Sequence, residues 1–272
     1  MATYLDRIAA WHRAAASADR RDVKELAARA CECPPTRDFV KALQAPTGNV
    51  SGGGGGAIAL VAEIKRRSPS KGELAPDLDP AEVARAYEAG GASCLSVLTD
   101  GPHFGGSPDD LQAARTAVGL PVLRKDFTVS ASDVFDARVM GADAVLLIVA
   151  MLAPEELAEL HHLAVALGMA ALVEVHDEHE LEQALETGTG LVGVNQRDLH
   201  SFEVDRERAA RVARHVPAGV LKIAESGVES AADVAALARA GFDGVLVGEA
   251  LLRSRDRSAA AAELLRRAVP CG

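Results

Sequence analysis

The 272-residue chain is 49% hydrophobic and 25% charged, which excludes a disordered, collagen-like or fibrous polypeptide and leaves enough apolar residues for a substantial core. Its 29 basic and 39 acidic residues give a formal net charge of −10, which argues against a general nucleic-acid face but allows a local cationic pocket for an acidic small molecule. The four cysteines, at 31, 33, 94 and 271, are too scattered for a disulfide framework, and Cys31-x-Cys33 has no second pair at zinc spacing, so free thiols are expected. The first fifteen residues carry Asp6, Arg7, His12 and Arg13 in place of a signal-peptide apolar stretch. The longest apolar run, Ala144 to Ala153, has roughly half the length a membrane helix needs. A cytoplasmic protein with no membrane partner is expected.

Residues 1–57 read as a helical extension. Leu5, Ile8, Ala9 and the stretch Trp11 to Ala15, then Val23, Leu26, Ala27 and Ala30, recur at helical spacing, and Pro34-Pro35 stops the pattern. Phe39 to Leu43 could add a short turn. The glycine-rich stretch from Thr47 to Gly56 reads as a linker. Gly52-x-Gly54-x-x-Ala57 formally fits a dinucleotide fingerprint, but it precedes a strand where that fingerprint must follow one.

From residue 58 to 272, short runs rich in Val, Ile and Leu alternate with amphipathic stretches of period near 3.6. The strands predicted are Ile58–Ile64, Cys94–Leu98, Val122–Arg124, Ala144–Val149, Ala170–Val175, Leu191–Val194, Val220–Ala224 and Gly244–Val247. The helices between them are Pro80–Ala89, Ser107–Val118, Ser132–Met140, Pro154–Leu167, Glu178–Thr187, Asp205–Arg214 and Ser230–Ala240, with Ser132, Asp205 and Ser230 read as caps. Near-continuous apolar strands alternating with helices call for a parallel sheet covered by helices. Eight units suit a closed α/β (βα)8 TIM barrel with an N-terminal helical extension, an open doubly wound sheet being the alternative.

In such a barrel the chemistry sits at the carboxyl ends of the strands. These strands end in charge where burial alone would favour apolar residues. Strand one ends Glu63-Ile-Lys65, strand three Arg-Lys125-Asp-Phe127, strand five Glu174-Val, strand six Asn195-Gln-Arg197, strand seven Glu225-Ser226-Gly227 and strand eight Gly248-Glu249. Alternation puts Glu63 and Lys65 on one face. Two lysines, several carboxylates and an asparagine would then converge over the mouth, a set suited to proton transfer.

Ser226-Gly227 and Gly248-Glu249 follow the last two strands, where barrels build phosphate sites from loop N–H groups. The basic loop Arg66-Arg67-Ser68-Pro69-Ser70-Lys71-Gly72 could act as a lid that brings cations to an anionic substrate. His176-x-x-His179 and His161-His162 read as surface histidines, the first pair lacking a third ligand nearby.

Together these residues resemble indole-3-glycerol phosphate synthases. The matching segments are 62–72, 121–127, 143–149, 171–176, 192–199, 224–228 and 247–251, with Glu-x-Lys-x-x-Ser-Pro-Ser-Lys-Gly and Leu-Arg-Lys-Asp-Phe the most specific. Pro108, Gln196 and the oligoglycine run depart from the family pattern without removing a motif residue. The resemblance implies ring closure of 1-(2-carboxyphenylamino)-1-deoxyribulose 5-phosphate with loss of carbon dioxide and water. It implies Lys125 as general acid, with Lys65, Glu63 and Glu174 sharing the dehydration steps and Glu225 positioning the lysines. Asn195 would orient the substrate, Ser68 and Arg197 would hold its carboxylate, and Phe127 and Leu146 would pack on its ring. Ser226, Gly227, Gly248 and the Glu249 backbone would hold the phosphate. No metal or organic cofactor is implied, and a monomer is expected, with a homodimer as the alternative. A non-catalytic phosphate-binding barrel and a phosphosugar isomerase remain competing functions, since a fold alone does not fix activity.

Overall fold

Apolar runs buried on both sides pair into a parallel sheet only if the sheet either opens between two helix layers or closes on itself, and here it closes. The computed structural model describes residues 3–44, 58–69, 71–198 and 202–266. The glycine-rich stretch and its fingerprint-like glycines lie outside the described residues. The strands are β1 (Ala59–Ile64), β2 (Cys94–Leu98), β3 (Val122–Lys125), β4 (Ala144–Ile148), β5 (Ala170–Val175), β6 (Leu191–Asn195), β7 (Leu221–Glu225) and β8 (Gly244–Val247). Each pairs in parallel with the next. β8 pairs back onto β1 through Ala59 opposite Gly244, which makes a closed eight-stranded barrel. Leu60, Leu95, Leu123, Leu147 and Leu172 are fully buried within it.

The helices fall where the periodicity puts them, with one shifted start. Ser130, not Ser132, caps the helix Ala131–Met140, because Ser130 stands three residues before Asp133. Its Oγ accepts the Asp133 N–H, and the Asp133 carboxylate accepts from Val129 N in return. His161, expected on a solvated face, is buried on the inner side of the helix Pro154–Ala166.

The N-terminal extension forms α1 (Tyr4–Ala18), α2 (Val23–Cys31) and α3 (Phe39–Gln44). Thr3 and Asp6 close a capping box at the start of α1, and Asp22 caps α2. Phe39 and Leu43 of α3, with Leu5 of α1, belong to the same apolar cluster as the barrel strands. Arg37 ties the approach to α3 to the amino-terminal side of the barrel through Asp143 Oδ1 (2.7 Å) and the Leu120 carbonyl (2.7 Å). α1 lies over the opposite end, held by the Arg13 fork on Glu156 at 2.7 and 2.8 Å and by Arg13 to the Met151 carbonyl at 2.8 Å. Among the described residues no helix is long and apolar enough to cross a membrane.

Candidate active site

The end of β3 shows how strand alternation sorts charge. Arg124, Lys125 and Asp126 are consecutive, yet the Arg124 guanidinium turns outward to the Asp133 carbonyl (3.0 Å), Thr99 Oγ1 (3.1 Å) and Asp126 (2.9 Å). Lys125 turns inward over the mouth. There its Nζ donates to Glu174 Oε2 and to Glu225 Oε2, both at 2.9 Å, joining the ends of β3, β5 and β7. Asn195, ending β6, donates from Nδ2 to Glu174 Oε1 at 3.0 Å.

One ammonium between two buried carboxylates sets their protonation. Burial disfavours the charged lysine, but the charges of Glu174, Glu225 and Glu63 outweigh it and hold the Lys125 pKa above its ordinary value. Burial would raise Glu174 too. Lys125, His176 and the Asn195 hydrogen bond reverse this and keep it well below the usual carboxylate range. Glu225 goes the other way: burial, reinforced by the charge of Glu174, pushes it up to about 7 against the pull of Lys125. Among the described residues its Oε1 has no hydrogen-bond partner, and a buried oxygen left unpaired costs less on a neutral carboxyl than on a carboxylate. The pair shares one cation, and the two ends of the proton balance separate.

Room for Glu225 comes from Gly193 on β6. A Cβ there would lie 2.1 Å from Glu225 Oε1 and 3.2 Å from Leu172 Cδ1. Gly193→Ala is therefore expected to displace the Glu225 carboxyl and destabilise the protein by about 1–3 kcal/mol, read as a lower urea midpoint at unchanged m-value. Turnover should fall along with it.

At the end of β1, Lys65 pairs with Glu63, and Gly248 after β8 packs directly against that carboxylate. A Cβ at 248 would stand 2.5 Å from Glu63 Oε1. Close packing with Glu63 thus requires glycine here, whatever the backbone also binds. Beyond β1 the chain forms a small hairpin, Arg67–Ser68 with Gly72–Glu73. The lid reading needs correction in one respect: Arg66 pairs with Asp110 and Arg67 donates to the Gly101 and Pro102 carbonyls, so both guanidinium groups are committed to the two helices that follow β2. Lys65, Ser68 and Lys71 face the cleft, with Lys71 Nζ 3.7 Å from Glu249 Oε1.

The cleft has a volume of about 730 Å³. Every residue given a catalytic or substrate-binding role from the sequence lines it: Glu63, Lys65, Ser68, Lys125, Phe127, Leu146 and Glu174 on one side of the ring, Asn195, Arg197, Glu225, Ser226, Gly227, Gly248 and Glu249 on the other. Tyr4, Leu5 and Ile8 of α1 complete its wall. Arg197 is steered by its Nη1 bond to the Phe202 carbonyl at 2.9 Å. After β7, Ser226 (φ +66°) and Gly227 (φ +73°) are consecutive left-handed residues, and Gln196 Nε2 braces the turn on the Ser226 carbonyl at 2.7 Å. A serine in that region is uncommon, and such conformations gather at binding sites.

His176, read from the sequence as a surface residue, is largely enclosed and faces the site, whereas His179 is exposed. Its backbone N–H and Nδ1 both donate to Glu180 Oε2, at 2.8 and 3.0 Å, and its Nε2 lies 3.6 Å from Glu174 Oε1. Burial opposes the imidazolium, but the Glu180 hydrogen bond and the Glu174 charge outweigh it and raise its pKa. The signal that could have found it is the four-residue step from His176 to Glu180, directly after the strand that ends in Glu174.

Residues 5–264 match the family model for indole-3-glycerol phosphate synthase. The chain is 50% identical over 266 residues to an indole-3-glycerol phosphate synthase of Mycolicibacterium gilvum, covering 97% of this chain and 94% of that one. It is 53% identical over 232 residues to indole-3-glycerol phosphate synthase 2 of Streptomyces coelicolor, covering 85% of each. Among solved structures, a thiamine phosphate pyrophosphorylase from Pyrococcus furiosus superposes with a TM-score of 0.57 at 18% identity, covering 76% of this chain and 93% of that one, a likeness of fold alone.

Proposed function

The chain belongs to the indole-3-glycerol phosphate synthase family, and on that premise we propose that its cleft converts 1-(2-carboxyphenylamino)-1-deoxyribulose 5-phosphate to indole-3-glycerol phosphate. The observation that carries this reading is the Lys125 ammonium held at 2.9 Å by both Glu174 and Glu225, with the Lys65–Glu63 pair lining the same cleft. Lys125 donates its proton to the ketone oxygen as the aromatic carbon attacks. The oxygen becomes more basic as the carbon–carbon bond forms, which draws the proton across even from an ammonium of raised pKa. Carbon dioxide leaves with the ring electrons returning to aromaticity. The hydroxyl then departs as water with a proton from Lys65, and ionised Glu174 takes the proton released from the ring-closed intermediate.

Binding follows the same charges. In an acidic protein, Lys65, Lys71 and Arg197 supply the cations that a carboxylate and a phosphate require, and Phe127 and Leu146 offer apolar surface to the aromatic ring. Ser68 and Arg197 hold the carboxylate, and Asn195 orients the substrate. The turns at Ser226-Gly227 and Gly248-Glu249 present backbone N–H groups to the phosphate. The reading is of a monomer, with a homodimer as the alternative, acting on an anionic small molecule of the cytoplasm. The test is a product assay: folded protein mixed with the carboxyphenylamino substrate, without added metal, should develop indole fluorescence. Unchanged substrate would refute the reading.

His176 belongs to this proposal as a positioning residue that keeps Glu174 ionised. His176→Gln removes a positive neighbour, so the Glu174 pKa rises. The acid limb of kcat against pH is then expected to move to higher pH, with Glu180→Gln moving it the same way by less. A merely structural histidine would lower activity at every pH without moving the limb.

A further inference from the structure

Behind the wall of the reaction cleft, a second cluster joins α1 to the segment after β2. Asp100 caps the short helix Gly101–Phe104, its Oδ1 accepting the His103 backbone N–H at 3.0 Å. Its Oδ2 lies 2.8 Å from His103 Nδ1 and 3.4 Å from His12 Nε2. The three potential ligand atoms are within 4.8 Å of one another, and among the described residues no other group of three such side chains comes as close. The geometry points to a divalent transition-metal site of the zinc class, with His12 Nε2, an Asp100 carboxylate oxygen and His103 Nδ1 as ligands, that fastens α1 to the barrel mouth.

The donor set selects the metal. Two imidazoles and one carboxylate suit Zn²⁺, Co²⁺ or Ni²⁺, whereas Mg²⁺ and Ca²⁺ prefer all-oxygen shells. Bonds of about 2.0–2.1 Å in a tetrahedron put donors about 3.3–3.4 Å apart. The His12–Asp100 separation already matches this, and the His103–Asp100 pair must open by roughly half an ångström. Asp100 and His103 are three residues apart on one helical turn, the spacing at which a carboxylate and an imidazole chelate together in metal-binding bundles. His12 follows Ile8 by one turn of α1, on the side that faces the barrel.

The surroundings favour an ion as well. The Asp100 side chain has no solvent exposure, and its cap already fixes it, so little ordering is left for binding to supply. Trp11 and Tyr4 pack edge-on against His103, with ring centroids at 5.8 and 6.2 Å, and Phe127 lies 5.1 Å from the His12 ring. This apolar shell strengthens a charged contact. A cleft lined by His12, Thr99, Asp100 and Asp126 gives an entry path. On binding, His103 keeps its proton on Nε2 and His12 on Nδ1, while Asp100 stays ionised. The occupied site carries one net positive charge and leaves a fourth position for water. Because Leu5 and Ile8 of α1 form part of the reaction cleft, an ion here would hold that wall in place.

Chelator-treated full-length protein titrated with ZnCl2 by calorimetry is expected to take up one ion per chain and to gain thermal stability. CoCl2 should give visible d–d absorption of a low-coordinate nitrogen–oxygen site. H12Q and H103Q should each weaken zinc binding at least about tenfold and erase the zinc-dependent rise in Tm, while H162Q, at an exposed histidine, should change neither. Absence of uptake, or uptake indifferent to both H12Q and H103Q, would overturn the proposal and leave these groups as a hydrogen-bonded clamp.

Discussion

Lys125→Ala is expected to lower kcat by about 10²–10⁴-fold, the contribution of a single positioned acid, while inhibition by inorganic phosphate stays nearly unchanged. The separation follows from the map of the cleft. Lys125 ends β3 and reaches Glu174 and Glu225 on β5 and β7, whereas the proposed phosphate turns follow β7 and β8 through backbone groups. Removing the ammonium also leaves two buried carboxylates facing each other with no cation between them, and at least one must take a proton. Some loss of stability is therefore expected together with the loss of turnover. Lys125→Met separates the two effects: it keeps the apolar stem yet should be as inactive as the alanine variant. If either variant, folded and still inhibited by phosphate, turned over at the parental rate, Lys125 would not be the acid. A non-catalytic phosphate-binding barrel would be indifferent to both substitutions.

How much of this is legible in the sequence depends on how far each contact reaches along the chain. The eight strands declare themselves because barrel strands are apolar on both faces, and a charged residue at the end of such a run stands out for the same reason. Glu174 and Lys125 are visible in that way, and so is their convergence once closure is assumed. The cap at Ser130 was obscured by Ser132, although only Ser130 has an acid three residues on. His176 reads as a surface residue because a histidine at a helix start looks solvated until the strand before it is known to point its last carboxylate inward. The arginines of the loop after β1 read as substrate-facing cations, but Asp110 and the Gly101 and Pro102 carbonyls claim them. The grouping of His12 with Asp100 and His103 has no sequence signal, since the first lies 88 residues from the second and a turn of α1 must be docked before they meet.

Glu174→Gln should be nearly as damaging as loss of Lys125, about 10²–10⁴-fold in kcat, but with the fold intact. The glutamine keeps an acceptor for Asn195 Nδ2 and the volume of the side chain, so the packing around it is preserved. Electrostatics then rearranges in a definite direction. With the Glu174 charge gone, Glu225 loses the like charge that helps burial raise its pKa. It remains as the carboxylate hydrogen-bonded to Lys125, at the existing 2.9 Å contact. One ammonium beside one carboxylate is a satisfied buried pair, so Tm should stay close to that of the parent while the base is absent. Glu225→Gln is the informative contrast. It leaves the Lys125–Glu174 pair in place, removes only the group whose pKa is raised, and should cost less in kcat than Glu174→Gln. The acid limb assigned to Glu174 should persist in the Glu225 variant and vanish in the Glu174 variant. Equal losses, with the limb kept in both, would mean that neither carboxylate is the base and that its role belongs to Glu63, the remaining carboxylate paired with a cleft-facing lysine.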